Sequence, residues 1–370
     1  MSLTELSSLH TQVLWAAFAV SVAFGAVAQK THFCTMGAIS DIVNMGDWTR
    51  MRMWGMAVGI AILGFYGMAT LGLIDPSKTF YTNPRLIWLS AVVGGAFFGF
   101  GMVLASGCGS KTLVRIGGGS LKGLVVFFVM GVSAFATLKG LTAVLRVKTV
   151  DAVAIDIPGG TGLPNLLSQA TGLPATTTVP LLALLLGGGL VIWALASHAF
   201  RTPNHLLAGL GIGASVVGMW WVTGHLGFIA EHPETLDSTY LATNSGLMES
   251  LTFTAPMAYA IDWLVHFSDT TKVLTVGVVS VAGVVLGSWV CALATRSFRW
   301  EGFRDTQDTA LHIGGAVLMG MGGVTAMGCT VGQGLSGLST LSLTSVVAVI
   351  GIVLGALGGL RFQLWLVMRD

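Results

Sequence analysis

Nine times along this chain, about twenty residues pass with hardly a charged side chain. A run of that length matches the hydrocarbon thickness of a bilayer when wound as a helix. We place these runs at about 12–29, 53–74, 86–106, 121–143, 179–199, 204–224, 271–294, 309–328 and 341–366. Only 9% of the 370 residues are charged and 54% are hydrophobic, far from the roughly 25% charge of soluble domains. The expected fold is therefore an all-α polytopic membrane protein, one transport domain over 1–370. Two longer connections remain, at about 144–178 and 225–270. The second carries LTFTAPMAYAIDWLVHF, too short and interrupted for a span and read as a short or partly inserted helix.

Lys and Arg set the orientation. With the N-terminus outside, twelve of the 18 fall on the inner side and six on the outer, so N-out, C-in is expected. No signal peptide is evident in MSLTELSSLH and the residues after it. A net charge of +2 offers no basic face for nucleic acid.

One segment fits poorly with this plan. After the apolar run ending at 104 comes ASGCGSKTLVRIGGG, unlikely material for the end of a membrane helix. It also recurs. GGAFFGFGMVLASGCG (94–109) aligns without gaps on GAVLMGMGGVTAMGCT (315–330), matching Gly94, Gly99, Gly101, Val103, Ala105, Gly107 and Cys108 to Gly315, Gly320, Gly322, Val324, Ala326, Gly328 and Cys329. In the span count the copies run in opposite directions. This implies an inverted internal repeat with halves of about 1–178 and 179–370, and helices broken inside the membrane near a substrate site.

Non-helical backbone at membrane depth must be buried in protein or line a cavity. Small polar residues after each Gly-Cys, namely Ser110 and Thr112, then Thr330, are expected to cap a new short helix, whose N-terminus attracts anions. Gly107, Gly109 and Gly328 flank the cysteines at these breaks. Cys34 follows the pattern more loosely, with Thr35 next and Gly37 three residues on; Gly332 stands at the same distance from Cys329. A neutral thiol is a weak, soft donor that can hold an anion without trapping it. Low dielectric disfavours the thiolate, which would also repel an anion. The substrate path is thus read as Cys34, Cys108 and Cys329, with passage of a sulfur-bearing oxyanion.

The remaining candidates have plainer explanations. Cys291, in GSWVCALATR, is read as a buried packing residue. Lys111 and Arg115 either line an anion path or are ordinary positive-inside residues. Met51, Met53 and Met56 are read as packing, His225 and Glu249 as capping or solvated groups. The cysteines form no C-x-x-C pair, and no metal or cofactor is expected. GCGSK lacks P-loop spacing. Two other functions stay open: a membrane sulfurtransferase forming a cysteine persulfide, with Lys111 as the cation beside Cys108, and a soft-metal transporter, which single cysteines without an acidic or histidine cluster support poorly.

FCTMGAISD (33–41), ASGCGSKTLVRIGGGSLKGL (105–124), NHLLAGLGIG (204–213), WWVTGHLG (220–227), SLTFTAP (250–256) and GGVTAMGCTVGQGLSGLS (322–339) together resemble the YeeE/YedE sulfur-transport family. That resemblance implies an hourglass-like importer of thiosulfate, or of a related sulfur or selenium compound, in the bacterial inner membrane. It implies transfer along three thiols by S–H hydrogen bonds, at Cys34, Cys108 and Cys329, without large conformational change. It also implies delivery in the cytoplasm, in some members to a small sulfur-carrier protein.

Overall fold

The computed structural model describes residues 3–172, 174–231, 233, 236–269 and 272–369. Among them eight segments are long and apolar enough to cross a membrane. Two of these are broken. Thr4–Met45 holds α1 (Leu3–Thr31) and α2 (Thr35–Met45); Trp88–Gly117 holds α4 (Trp88–Leu104) and α5 (Gly109–Gly117), and between the two lies α3 (Thr49–Thr70). α6 (Leu121–Lys139) follows. The connection after it carries α7 (Leu141–Lys148) and α8 (Leu163–Thr171), and a two-residue pairing of β1 (Arg85–Leu86) with β2 (Ile155–Asp156).

α9 (Ala175–Leu182) and α10 (Gly189–Leu195) form one span through a π-helical stretch, Ala183–Gly188, just after Pro180. Proline removes a ladder hydrogen bond, and a wider turn accommodates the loss. α11 (Pro203–Trp221) runs into a second π turn at Val222–Leu226. After β3 (Phe228–Ile229) and β4 (Thr239–Tyr240) come α12 (Thr254–Val265), α13 (Val276–Ala294), α14 (Thr306–Thr325) and α15 (Leu343–Arg369). α12 is the short helix expected between 225 and 270. The span expected from 271 starts instead at Val276; Thr271 itself lies outside the described residues.

One of the nine expected spans, 309–328, corresponds to α14, which is not among the eight. Its 20 residues open on TQDTALH and then turn to glycine and small residues. The reason is position: α14 packs between α4 and α6, so it needs close contact with protein more than affinity for lipid. α4 lies against both α14 and α15, and α1 against α13. One apolar core runs through the bundle, from Val13 on α1 to Leu360 on α15.

The α4–α14 crossing is nearly bare backbone. A Cβ on Gly101 would stand 2.6 Å from the Gly315 carbonyl oxygen, and one on Gly315 would stand 2.6 Å from the Gly101 carbonyl oxygen. Gly322 meets the Gly94 carbonyl oxygen at the same 2.6 Å. Since 94 aligns with 315 and 101 with 322, the Gly94–Gly322 contact is the counterpart of Gly315–Gly101.

Candidate functional site

Each of the three cysteines follows a helix that ends in one particular way. His32, Ser106 and Met327 have φ of 53°, 55° and 57°, the left-handed conformation, each two residues before its cysteine. After α4 the Ser106 N–H donates to the Val103 carbonyl and the Gly107 N–H to that of Met102. After α14, Met327 and Gly328 repeat those bonds onto Val324 and Gly323. This is the helix-ending motif usually built on glycine. Here the left-handed residues are His, Ser and Met, while Gly107 and Gly328 come one place later. Their role is close approach: a Cβ on Gly107 would stand 3.1 Å from Lys111 Cγ, and one on Gly328 3.0 Å from Gln333 Cγ.

The chain then restarts: Cys34 and Cys108 occupy the N-cap of the new helix, and Cys329 stands two residues before Val331, the N-cap of a π-helical stretch at Gly332–Gly337. Cys34 is extended (φ −159°, ψ 120°), and its Sγ accepts the Gly37 N–H at 3.4 Å. Cys329 Sγ accepts the Gly332 N–H at the same 3.4 Å, with the amides of Val331 and Phe253 also directed at it. Cys108 caps α5 by position, with the Lys111 amide at the corresponding place and the Ser110 hydroxyl 3.3 Å from its sulfur. The expected hydroxyl caps are therefore corrected. Thr112 bonds back to the Cys108 carbonyl at 3.1 Å, Ser110 turns to the thiol, and Thr330 caps nothing. A sulfur whose lone pairs receive amide N–H groups keeps its S–H free to donate outward.

The other expected residues fall around these caps. Thr35 opens α2, buried at 9% exposure. Gly37 lies under Arg50, whose Nη1 would stand 2.6 Å from a Cβ there. Gly109 opens α5 against Met130, and Gly332 packs on the Thr252 side chain. Cys291 sits within continuous α13 with no break beside it.

The Cys34 and Cys108 thiols adjoin, and Cys329 is an electrostatic neighbour of Cys108. Cys108 and Cys329 are buried, Cys34 half-buried. On the Cys34 side stands a group of cations: Lys111 has both Cys34 and Cys108 within electrostatic range, together with Arg50 and Arg115. Arg50 is paired with Asp41 at 3.3 Å. Among the described residues Lys111 and Arg115 have no carboxylate partner.

On the Cys329 side a cavity of about 300 Å³ is lined by Arg146, Asn244, Glu249, Tyr259, Met327 and Gly328. Burial pushes the Glu249 carboxyl above its ordinary range, although the Ser245 N–H (2.9 Å) and Ser245 hydroxyl (2.5 Å) both donate to it. A smaller apolar cavity of about 90 Å³ lies between the Cys34 and Cys329 loops, beside Trp54 and Thr330.

Two site features escape sequence reading. Tyr81, in the loop after α3, reaches inward to become an electrostatic neighbour of Cys329. Gln333 is fully buried; it donates to the Ala326 carbonyl at 2.6 Å and accepts from Ser345 at 2.7 Å, holding the third break closed. The isolated amide in GCTVGQGLSG, among apolar and small residues, is the signal that would have found it.

Fold and site together define a polytopic α-helical membrane protein whose broken helices converge on three capped thiols. The sequence pattern of the family described as "Sulphur transport" matches residues 30–357. Thiosulfate transporter TsuA of Escherichia coli (strain K12) is 28% identical over 320 residues, 84% of this chain and 83% of that protein. Thiosulfate transporter TsuA of Spirochaeta thermophila is 27% identical over 337 residues, 88% of this chain and 91% of that protein. Probable transporter YedE of Salmonella typhimurium is 30% identical over 114 residues, covering 30% of this chain and 26% of that protein. The chain belongs to the sulphur-transport family, and is a membrane transport protein rather than an enzyme.

Proposed function

We propose that this protein imports thiosulfate, or a closely related sulfur anion, by passing it along the neutral thiols of Cys329, Cys108 and Cys34 in that order. The observation that carries the reading is the likeness of the three: each sits two residues after a left-handed residue, at the restart of the chain after a helix break, next to another of the set. The relatives named thiosulfate transporter supply the cargo. The anion enters from the cavity bounded by Gly328, moves through uncharged donors, and leaves beside Lys111, Arg50 and Arg115.

In this reading the cation group lies at the cytoplasmic mouth of a bacterial inner-membrane protein, with the N-terminus outside and the C-terminus inside. The halves 1–178 and 179–370 form the inverted repeat, and their reciprocal glycine contacts support it. Cytoplasmic consumption of thiosulfate, in some settings by a small sulfur-carrier protein, drives uptake. Thr35, Gly37, Gly107, Gly109, Ser110, Gly328 and Gly332 shape the caps.

The test is uptake of labelled thiosulfate by cells lacking other importers, with Cys34→Ala, Cys108→Ala, Cys329→Ala and Cys291→Ala at matched expression. Loss in the first three, with Cys291→Ala near normal, is expected. Normal uptake by all four sinks the relay; no uptake by the unaltered protein sinks the cargo.

A further inference from the structure

Buried hydroxyls without partners are rare, because leaving one unbonded forfeits a hydrogen bond it had in water. Two of those in this protein flank Cys329. The Tyr81 hydroxyl is buried with no hydrogen-bond partner, and so is the Thr330 hydroxyl; the residues are 1% exposed each. Thr254 is a third buried hydroxyl without a partner, but comparable groups are satisfied at Tyr66 and Trp220. Buried Tyr66 donates to the Thr340 carbonyl at 2.7 Å, and the buried Trp220 indole N–H to Ser339 at 2.9 Å.

Tyr81 is held by its backbone and its ring. Its carbonyl accepts the hydroxyls of Thr161 (3.2 Å) and Ser342 (2.5 Å), and its ring lies edge-on to Trp220. Cys329 and the Glu249 carboxyl, which lines the cavity of about 300 Å³, are electrostatic neighbours of that hydroxyl. Thr330 follows Cys329 in the chain, and its hydroxyl is turned to the Cys108 thiol, a weak acceptor. Two hydroxyls without an oxygen or nitrogen partner thus stand near Cys329, one beside Glu249 and one beside the next thiol.

We propose that the hydroxyls of Tyr81 and Thr330 are two further ligands for the transported oxyanion, donating to it as it passes Cys329. The inference rests on the thiosulfate reading above. A hydroxyl is a stronger donor than a thiol, and an anionic acceptor roughly doubles the worth of a neutral hydrogen bond. Tyr81 has no partner at rest and Thr330 only a thiol, because the partner of both is the cargo.

Tyr81→Phe and Thr330→Val keep the shape and remove the oxygen. If the hydroxyls were merely structural, deleting an unbonded buried donor would leave stability equal or higher and transport unchanged. The experiment measures labelled thiosulfate uptake, together with the melting temperature of the purified protein in detergent with and without thiosulfate. The expected result is a melting temperature unchanged or raised, a KM for uptake raised about ten-fold or more, and a smaller stabilisation by thiosulfate. Thr330→Ser, which keeps the hydroxyl, restores uptake.

Unchanged uptake in both variants overturns the inference. Lost uptake with a lowered melting temperature also overturns it, since the side chains are then structural. Absence of uptake by the unaltered protein removes the thiosulfate reading and this inference with it, a result distinct from the other two.

Discussion

Ser106 and Met327 adopt the same left-handed backbone conformation, φ 55° and 57°, at matching positions two residues before Cys108 and Cys329. A side chain there costs roughly 1–2 kcal/mol relative to glycine. Ser106→Gly and Met327→Gly are therefore expected to hold or slightly raise the melting temperature. Ser106→Val and Met327→Val, branched at Cβ, are expected to lower stability by about 1–2 kcal/mol. Thermal unfolding in detergent checks this, and a valine tolerated as well as glycine would refute the assignment.

At the glycine seam, Gly101→Ala or Gly315→Ala sets a methyl group 2.6 Å from the opposing carbonyl oxygen. Each is expected to destabilise by about 1–3 kcal/mol, the usual range for overpacking. The pair is expected to cost less than the sum, because the first methyl already parts the helices for the second. Strict additivity would show that the helices do not separate as a unit.

Lys122, at the start of α6, is 8% exposed and reaches Asp308 on α14 at 2.7 Å, with Glu301 at 3.8 Å. Lys122→Met leaves the Asp308 carboxylate with the Arg304 N–H (3.1 Å) and His312 (3.0 Å) and is expected to cost about 1 kcal/mol, well below the cost of breaking a wholly buried pair. Adding Asp308→Asn should recover most of that loss. A double variant as unstable as the single one would show that the lysine acts through packing.

Glu249 gives a pH dependence of definite sign. Its folded carboxyl holds a proton to higher pH than the unfolded chain does. Stability from this group is therefore greatest below the ordinary carboxylate range and declines as pH rises through the raised folded value. Above the ordinary glutamate value of about 4.3, Glu249→Gln should flatten the decline of stability with rising pH and raise stability at the upper end of the range. An identical slope in the variant would assign the dependence to another group.

Length and apolarity made the spans legible, and the repeated Gly-Cys made two of the breaks legible. The span at 309–328 was legible by its glycines, while its hydropathy reflects a helix enclosed by protein. What the sequence concealed was set by the far side of each contact. Glycines flank the breaks in the sequence, whereas the left-handed residues are His32, Ser106 and Met327; after α4 and α14 the helix-ending bonds select a position rather than a residue type. The hydroxyls after each cysteine looked like caps until the sulfurs were found in that place. Tyr81 carried no local pattern at all. Its importance arises from a loop folding inward over a segment 248 residues away, at Cys329.

The bare crossing of α4 and α14 has a mechanical consequence. With carbonyl oxygens against the α-carbons of Gly94, Gly101, Gly315 and Gly322, there is little soft layer to shear, so the pair behaves as a weld rather than a hinge. The two central breaks, at Cys108 and Cys329, are fixed to opposite sides of that weld. In the relay proposed above, passage then falls to groups that turn in place, as sulfhydryl and hydroxyl rotors do. Such rotations belong to the picosecond-to-nanosecond range in exposed groups, far faster than the rocking of domains.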